Sequence, residues 1–275
     1  MRVIAVMNQK GGIGKTMTAS SIAYILGREK KVLICDGDQQ GNISLLYNRY
    51  DPEGQGMSEL FENHQAAGGT YATTDLIQTT PYRNIDIIPA NGYLMQTNAL
   101  LLQEKGEDQI LRFAAAMKEV ATVYDYCVVD CGLQMDMVAT NVMPVADLVI
   151  VPVKAGGFEV KAIDDMKSQI EAFESINPNI HMMVLMTMWK KNKTALQVEE
   201  WLRTESGYKC FNTIVKNSIA AENSTIAFKP LPEYSKRSVT TKDYWRVVEQ
   251  VIQELKLTEL QEVLEGRDKW EFTKK

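Results

Sequence analysis

The run Asn8-Gln9-Lys10-Gly11-Gly12-Ile13-Gly14-Lys15-Thr16 concentrates three glycines, two lysines and a threonine in nine residues. Glycines let a backbone curl so that successive N–H groups point at anionic oxygens, and a helix beginning at such a loop adds the positive end of its dipole. The closing Gly14-Lys15-Thr16 is the ending of a phosphate-binding P-loop, in which the lysine reaches the β and γ phosphates and the hydroxyl ligates Mg²⁺. The expected nucleotide contacts are therefore Lys10, Gly11, Gly12, Ile13, Gly14, Lys15, Thr16 and Met17. Two further polar clusters, Asp36 to Asn42 and Asp130 to Asp136, each follow an apolar run. Asp130 is expected to hold Mg²⁺ through water, because an unpaired carboxylate at the end of a buried strand is too costly to be explained by packing. Asp36 and Asp38 have a structural alternative, capping the helix that follows them.

These clusters need strands to deliver them to one place. Short Val/Ile/Leu/Met runs predict strands at Val3–Met7, Val32–Cys35, Ile85–Ile88, Tyr126–Val129, Leu148–Val153, Met182–Met186 and Phe211–Val215. Between them, helical spacing predicts helices over Lys15–Gly27, Leu94–Val123, Val160–Ser175, Thr194–Thr204 and Thr241–Leu255. The alternation implies an α/β fold: a doubly wound, mostly parallel sheet with helices on both faces, its ligand beyond the carboxyl ends of the strands.

Composition narrows the function. With 275 residues, 45% of them hydrophobic, and no repeat or Pro/Gly/Ser-rich linker, the chain is expected to form one domain over 1–275, with 268–275 a flexible tail. No apolar run is long enough to span a bilayer and no cationic leader opens the chain, so a cytoplasmic location is expected. Four cysteines without zinc-type spacing read as reduced, mostly buried thiols. The two histidines, His64 and His181, offer little to a histidine-based triad. A net charge of −5 confines any nucleic-acid contact to a local basic patch.

The loop departs from the general P-loop in having Gln9 where the leading glycine belongs, followed by a second lysine, Lys10. This Lys-Gly-Gly-x-Gly-Lys-Thr string resembles the deviant Walker A motif of the ParA and MinD superfamily of ATPases. Asp36-Gly37-Asp38-Gln39-Gln40-Gly41-Asn42 resembles the same family's Asp-x-Asp-Pro-Gln-Gly-Asn, with Gln39 in place of proline. Tyr126 to Asp130 matches its Walker B strand, after which Cys131-Gly132-Leu133 replaces the usual prolines. Looser likeness continues through Asn141, Ala146-Asp147, Val149 to Val153 and Met186-Thr187-Met188, and so covers nearly the whole chain.

The resemblance implies a Mg-ATP hydrolase, slow unless stimulated, that forms an ATP-sandwich homodimer. Lys10 would cross to the partner's phosphates, where a cation supplied in trans can be worth roughly 10³–10⁵ in rate. Asp38 would position the attacking water, and Asp36 would lie at the metal's outer shell. It also implies ATP-dependent, sequence-independent DNA binding, here through Lys216, Lys236, Arg237 and Lys242, and a ParB-like stimulating partner. Lys190, Lys191 and Lys193 form a second basic cluster, and base contacts are expected around Lys216 and Asn217. The alternatives are a MinD-like membrane-associated positioning ATPase, a nucleotide switch acting on a protein complex, an iron protein using Cys131, and a metabolic amide-forming relative. The Leu257, Leu260, Val263, Leu264 stripe, mixed with glutamates, is expected to pack on the body of the protein rather than on a bilayer.

Overall fold

The structure, a computed structural model, describes residues 1–65, 68–104, 107–155, 159–265 and 270. In chain order the elements are β1 (Arg2–Val6), α1 (Lys15–Leu26), β2 (Val32–Gly37), α2 (Asn42–Leu46), α3 (Met57–Glu62), α4 (Thr73–Leu76), β3 (Gln78–Thr79), β4 (Ile85–Ile88), α5 (Leu94–Gln103), α6 (Arg112–Val120), β5 (Tyr126–Cys131), α7 (Met137–Val142), β6 (Leu148–Lys154), α8 (Glu159–Glu171), β7 (His181–Thr187), α9 (Lys193–Thr204), α10 (Ile219–Ile226), α11 (Leu231–Tyr234) and α12 (Val239–Glu265). They build a seven-stranded sheet in the order β3-β4-β2-β5-β1-β6-β7. All pairings are parallel except that of β3 with β4.

Side chains on successive strand residues point to opposite faces, and the sheet uses both. Val3, Ala5, Leu33, Cys35, Val129 and Val149 face the layer that includes α3, α6 and α7. Ile4, Val6, Val32, Ile34, Val128 and Ile150 face α1 and α12. Burial on both faces is why these strands read as nearly continuous apolar runs. The doubly wound expectation holds.

Several expected elements differ. Phe211–Val215 is not a strand of the sheet. Its ends bond to β7, with Phe211 N–H donating to Val184 O and Val215 N–H to Met186 O. Between them the Gln250 side chain of α12 takes the Asn212 N–H and donates to the Thr213 hydroxyl, so the ladder is interrupted. The seventh strand is instead the two-residue edge β3. The single helix expected over Leu94–Val123 is α5, a 3₁₀ turn at Glu107–Ile110, and α6. Asn141 of α7 divides them: its Oδ1 accepts the Arg112 and Phe113 N–H groups and its Nδ2 donates to Gln109 O. The last helix runs past Leu255 to Glu265, and Leu257 and Leu260 are exposed on it rather than packed. The inward face there carries Leu255, Thr258 and Glu262. The expected tail, 268–275, lies outside the described residues apart from Trp270.

At the edge of the sheet opposite the strand carboxyl ends, Asp147 is buried and accepts the Val3 N–H at 2.6 Å and Arg2 Nη1 at 2.8 Å. Arg2 also pairs with Glu262 at 2.6 Å, tying α12 to β1. Removing one partner of such a pair leaves a buried charge, so Asp147→Ala should lower the unfolding free energy by about 3–5 kcal/mol in urea titration.

Candidate active site

The phosphate loop joins the end of β1 to the start of α1. Met7 N–H donates to Ile150 O, and the Asn8 amide donates to Pro152 O at 2.8 Å while accepting the Lys10 N–H at 3.0 Å, so the loop's entry is fixed to β6. Its far side is held by Thr187 at the end of β7, whose hydroxyl donates to Ile13 O at 2.7 Å. Gly12 and Gly14 have φ of 68° and 86°, a left-handed backbone that glycine adopts without strain. Gly14 leads directly into α1, whose first turn carries no acidic residue to oppose an anion.

A cavity of about 400 Å³ opens on this loop, lined by Gly11 through Met17 together with Asp38, Gln40, Asn42, Leu133, Thr225 and Phe228. A second, of about 240 Å³, shares Gly12, Gly14, Met17 and Thr225 and adds Met188, Lys216, Asn217, Glu222 and Tyr244. The seven expected contacts from Gly11 to Met17 thus surround one cavity, and the residues expected near the base surround its neighbour. Lys15 is buried and its ammonium donates to Lys10 O at 3.0 Å, which also places Lys10 at the loop. Burial lowers the Lys15 pKa, with Asp130 and then Asp38 opposing the shift.

Asp36 and Asp130 are register partners on the adjacent strands β2 and β5, and both are fully buried. Asp36 accepts the Ser44 N–H at 3.0 Å, the Ser44 hydroxyl at 2.6 Å and the Asp38 N–H at 3.2 Å. It thereby anchors the first turn of α2 from the end of β2, while the N-cap of that helix is Gly41. Burial nevertheless pushes its pKa up to about 7 against those hydrogen bonds. Neither carboxylate oxygen of Asp130 accepts a hydrogen bond. Burial and then Asp36 raise its pKa; Thr16 and Lys15 are near enough to favour the charged form. Asp38 is half-buried, accepts the Gln40 N–H at 3.0 Å and lines the larger cavity.

Asp130 and Thr16 fit a Mg²⁺ ion: a buried carboxylate with unused lone pairs beside a hydroxyl at the phosphate loop. Among the described residues no three His, Cys, Asp or Glu side chains are grouped to hold a metal unaided. That is the donor set of an ion that takes most of its ligands from phosphate and water. Cys131 is buried, its thiol pushed up by burial and by Asp130.

The expected basic residues separate. Lys216 lies at the second cavity and pairs with Asp243 at 3.9 Å. Lys236, Arg237 and Lys242 are exposed around the start of α12 and line neither cavity. Sequence reasoning missed Thr225 and Phe228, which come from a segment distant in sequence, and it offered no periodicity or motif that would have nominated them.

The AAA domain family matches residues 1–182. Over 259 residues the chain is 27% identical to the chromosome partitioning protein ParA of Caulobacter vibrioides, covering 92% of this chain and 94% of that one. It is 26% identical to the sporulation initiation inhibitor protein Soj of Bacillus subtilis, covering 91% and 98%. A plasmid partition protein of Borrelia burgdorferi, solved with AMPPNP, superposes with a TM-score of 0.76 at 20% identity, covering 92% of this chain and 99% of that one.

The buried carboxyls give stability a pH dependence. An unfolded aspartate releases its proton near about pH 4. Asp36 keeps its proton up to about 7 in the fold, so the folded state holds protons the unfolded state has lost, and stability falls as pH rises through that window. Asp130, also raised, acts in the same direction. In metal-free buffer Asp130→Asn should be more stable than the parent by about 1–3 kcal/mol near pH 8, and the gap should narrow near pH 5, as read by chemical denaturation.

Proposed function

The chain belongs to the AAA domain family and within it to the ParA-like proteins, and from that premise we propose that it is a cytoplasmic, Mg²⁺-dependent ATPase whose ATP-bound dimer holds DNA without sequence preference. The observation that carries the reading is the convergence at one cavity of the glycine loop, Lys15 and Asp38, with the unpartnered Asp130 carboxylate on the adjoining strand.

In this reading the loop N–H groups and the α1 N-terminus receive the phosphates, and Lys15 leaves the Lys10 carbonyl to contact the β and γ oxygens. Thr16 and Asp130 would hold Mg²⁺, which would supply positive charge to offset that of the phosphates, and Asp36 keeps the adjoining loop in place. Asp38 orients the attacking water, and Lys10 acts in trans across a homodimer. Hydrolysis then works as a switch: the γ phosphate favours the DNA-holding dimer and its loss releases it. The ParA and Soj relatives are named for chromosome partitioning and for inhibition of sporulation initiation. Partition of a chromosome, plasmid or mobile element, with a ParB-like stimulator, is the matching role here.

A second reading, a membrane-associated positioning ATPase, draws on the exposure of Leu257 and Leu260 on α12. No described helix is long and apolar enough to cross a membrane, so such binding would be at the surface.

Two experiments separate these steps. Arbitrary duplex DNA should be bound with ATP but not with ADP, weakening as salt rises, while light scattering reports a dimer with ATP. Absence of DNA binding under every nucleotide, with ATP-dependent pelleting on anionic liposomes, would replace the first reading by the second. For the chemistry, Asp38→Ala should keep ATP affinity and lose about 10²–10⁴-fold in turnover, measured by phosphate release. Unchanged turnover would remove Asp38 from the water-positioning role.

A further inference from the structure

Among the described residues, four that are not glycine hold a left-handed backbone: Asn48, Asn84, Met188 and Phe228. Asparagine tolerates this conformation, whereas methionine and phenylalanine are strained in it. The strain is not spread over the molecule. Phe228, with φ 48°, borders the larger cavity on the phosphate loop, and Met188, with φ 50°, borders the smaller one.

Phe228 ends α10 in a form for which glycine is the usual choice. Its N–H donates to Thr225 O at 3.2 Å and the Lys229 N–H donates to Ser224 O at 3.0 Å, the paired bonds of a Schellman motif with Phe228 at the left-handed position. Glycine would make the same two bonds without strain. The ring does not compensate by entering the core, because Phe228 is 58% exposed. A costly aromatic that is neither required by the turn nor packed against the protein needs another partner, and the space beside it is the cavity of the phosphate loop.

We propose that Phe228 and Met188 are nucleotide-binding residues that close on the nucleoside half of the ligand, Phe228 presenting an apolar ring face to the sugar or base. This rests on the ATPase reading above. The two cavities share Gly12, Gly14, Met17 and Thr225, so a ligand that starts on the loop in the larger cavity and reaches toward Asn217 in the smaller one meets Phe228 on the first side of that shared border and Met188 on the second. Strain in the free protein is then offset in the bound state, where the ring has a surface to cover.

Glycine substitution separates a binding role from a structural one, because it relieves the strain. In the full chain, Phe228→Gly should melt at the same temperature or higher. Its Mg-ATP affinity by titration calorimetry should fall about tenfold, the size of one lost ring contact to a nucleoside. Inorganic tripolyphosphate, which has no nucleoside, should bind Phe228→Gly and the parent equally, and Phe228→Trp should restore ATP affinity. Met188→Gly should change in the same direction as Phe228→Gly. Unchanged ATP affinity in Phe228→Gly would overturn the proposal, as would an equal loss for tripolyphosphate, which would mean that the loop itself had been disturbed. A parent chain that failed to bind ATP at all would overturn the ATPase reading with it, an outcome distinct from either of these.

Discussion

Two neighbouring strands, β2 and β5, end in carboxylates that are register partners and have no access to water. Like charges so placed repel each other and are poorly solvated, so the surroundings must either neutralise them or supply opposite charge. The fold treats the two differently. Asp36 is surrounded by donors from Ser44 and the Asp38 backbone, which turns it into the anchor of α2. Asp130 receives no hydrogen bond, and the positive charge acting on it is that of Lys15, itself weakened by burial. A ligand carrying both phosphate and a divalent cation answers both sides together: its anionic oxygens suit Lys15 and the loop N–H groups, and its cation suits Asp130.

That balance explains how work is divided across the sheet. The central strands β1, β2 and β5 end at the phosphate loop and the two buried carboxylates, and the flanking strands hold the loop. Asn8 is fastened to Pro152 on β6, and Thr187 on β7 is fastened to Ile13, so the loop is gripped from both ends by the two flanking strands. At the opposite edge, the Arg2–Asp147–Glu262 group holds β1 and α12 together, far from the groups that must respond to a ligand.

The legible part of this arrangement was the part whose physics is local in sequence. A phosphate loop is built from consecutive residues, and a strand-end carboxylate is announced by the apolar run before it, so Lys10 to Met17, Asp38 and Asp130 could be placed without coordinates. What escaped depends on contacts between distant segments. Phe211–Val215 has a strand's composition, yet the Gln250 side chain from α12 takes the bonds a ladder would need. The long helical stretch after Leu94 is divided by Asn141, a residue of another helix. Phe228 is ordinary as a letter in the sequence and becomes informative only through its backbone angle and its position at the cavity.

The last helix shows how the packing of one stretch of a helix decides what another stretch exposes. In its last turns two stripes compete for the inward side, Leu257 with Leu260 and Leu255 with Thr258 and Glu262, and those turns alone would favour burying Leu257 and Leu260. The opposite face is inward, because it continues the buried stripe of Tyr244, Val247, Val248, Val251 and Leu255; Glu262 then finds Arg2 there and Glu254 finds Lys209 at 2.6 Å. Arg2, whose first acidic partner is Asp147 just before β6, gains a second from the helix, and that pairing extends the face already set by the buried apolar residues. Rotation is a single variable for a rigid helix, so placing Glu262 inward necessarily places Leu257 and Leu260 outward. The apolar surface on α12 is thus a consequence of how the helix is packed on the body through its earlier turns and fastened to β1 at its end.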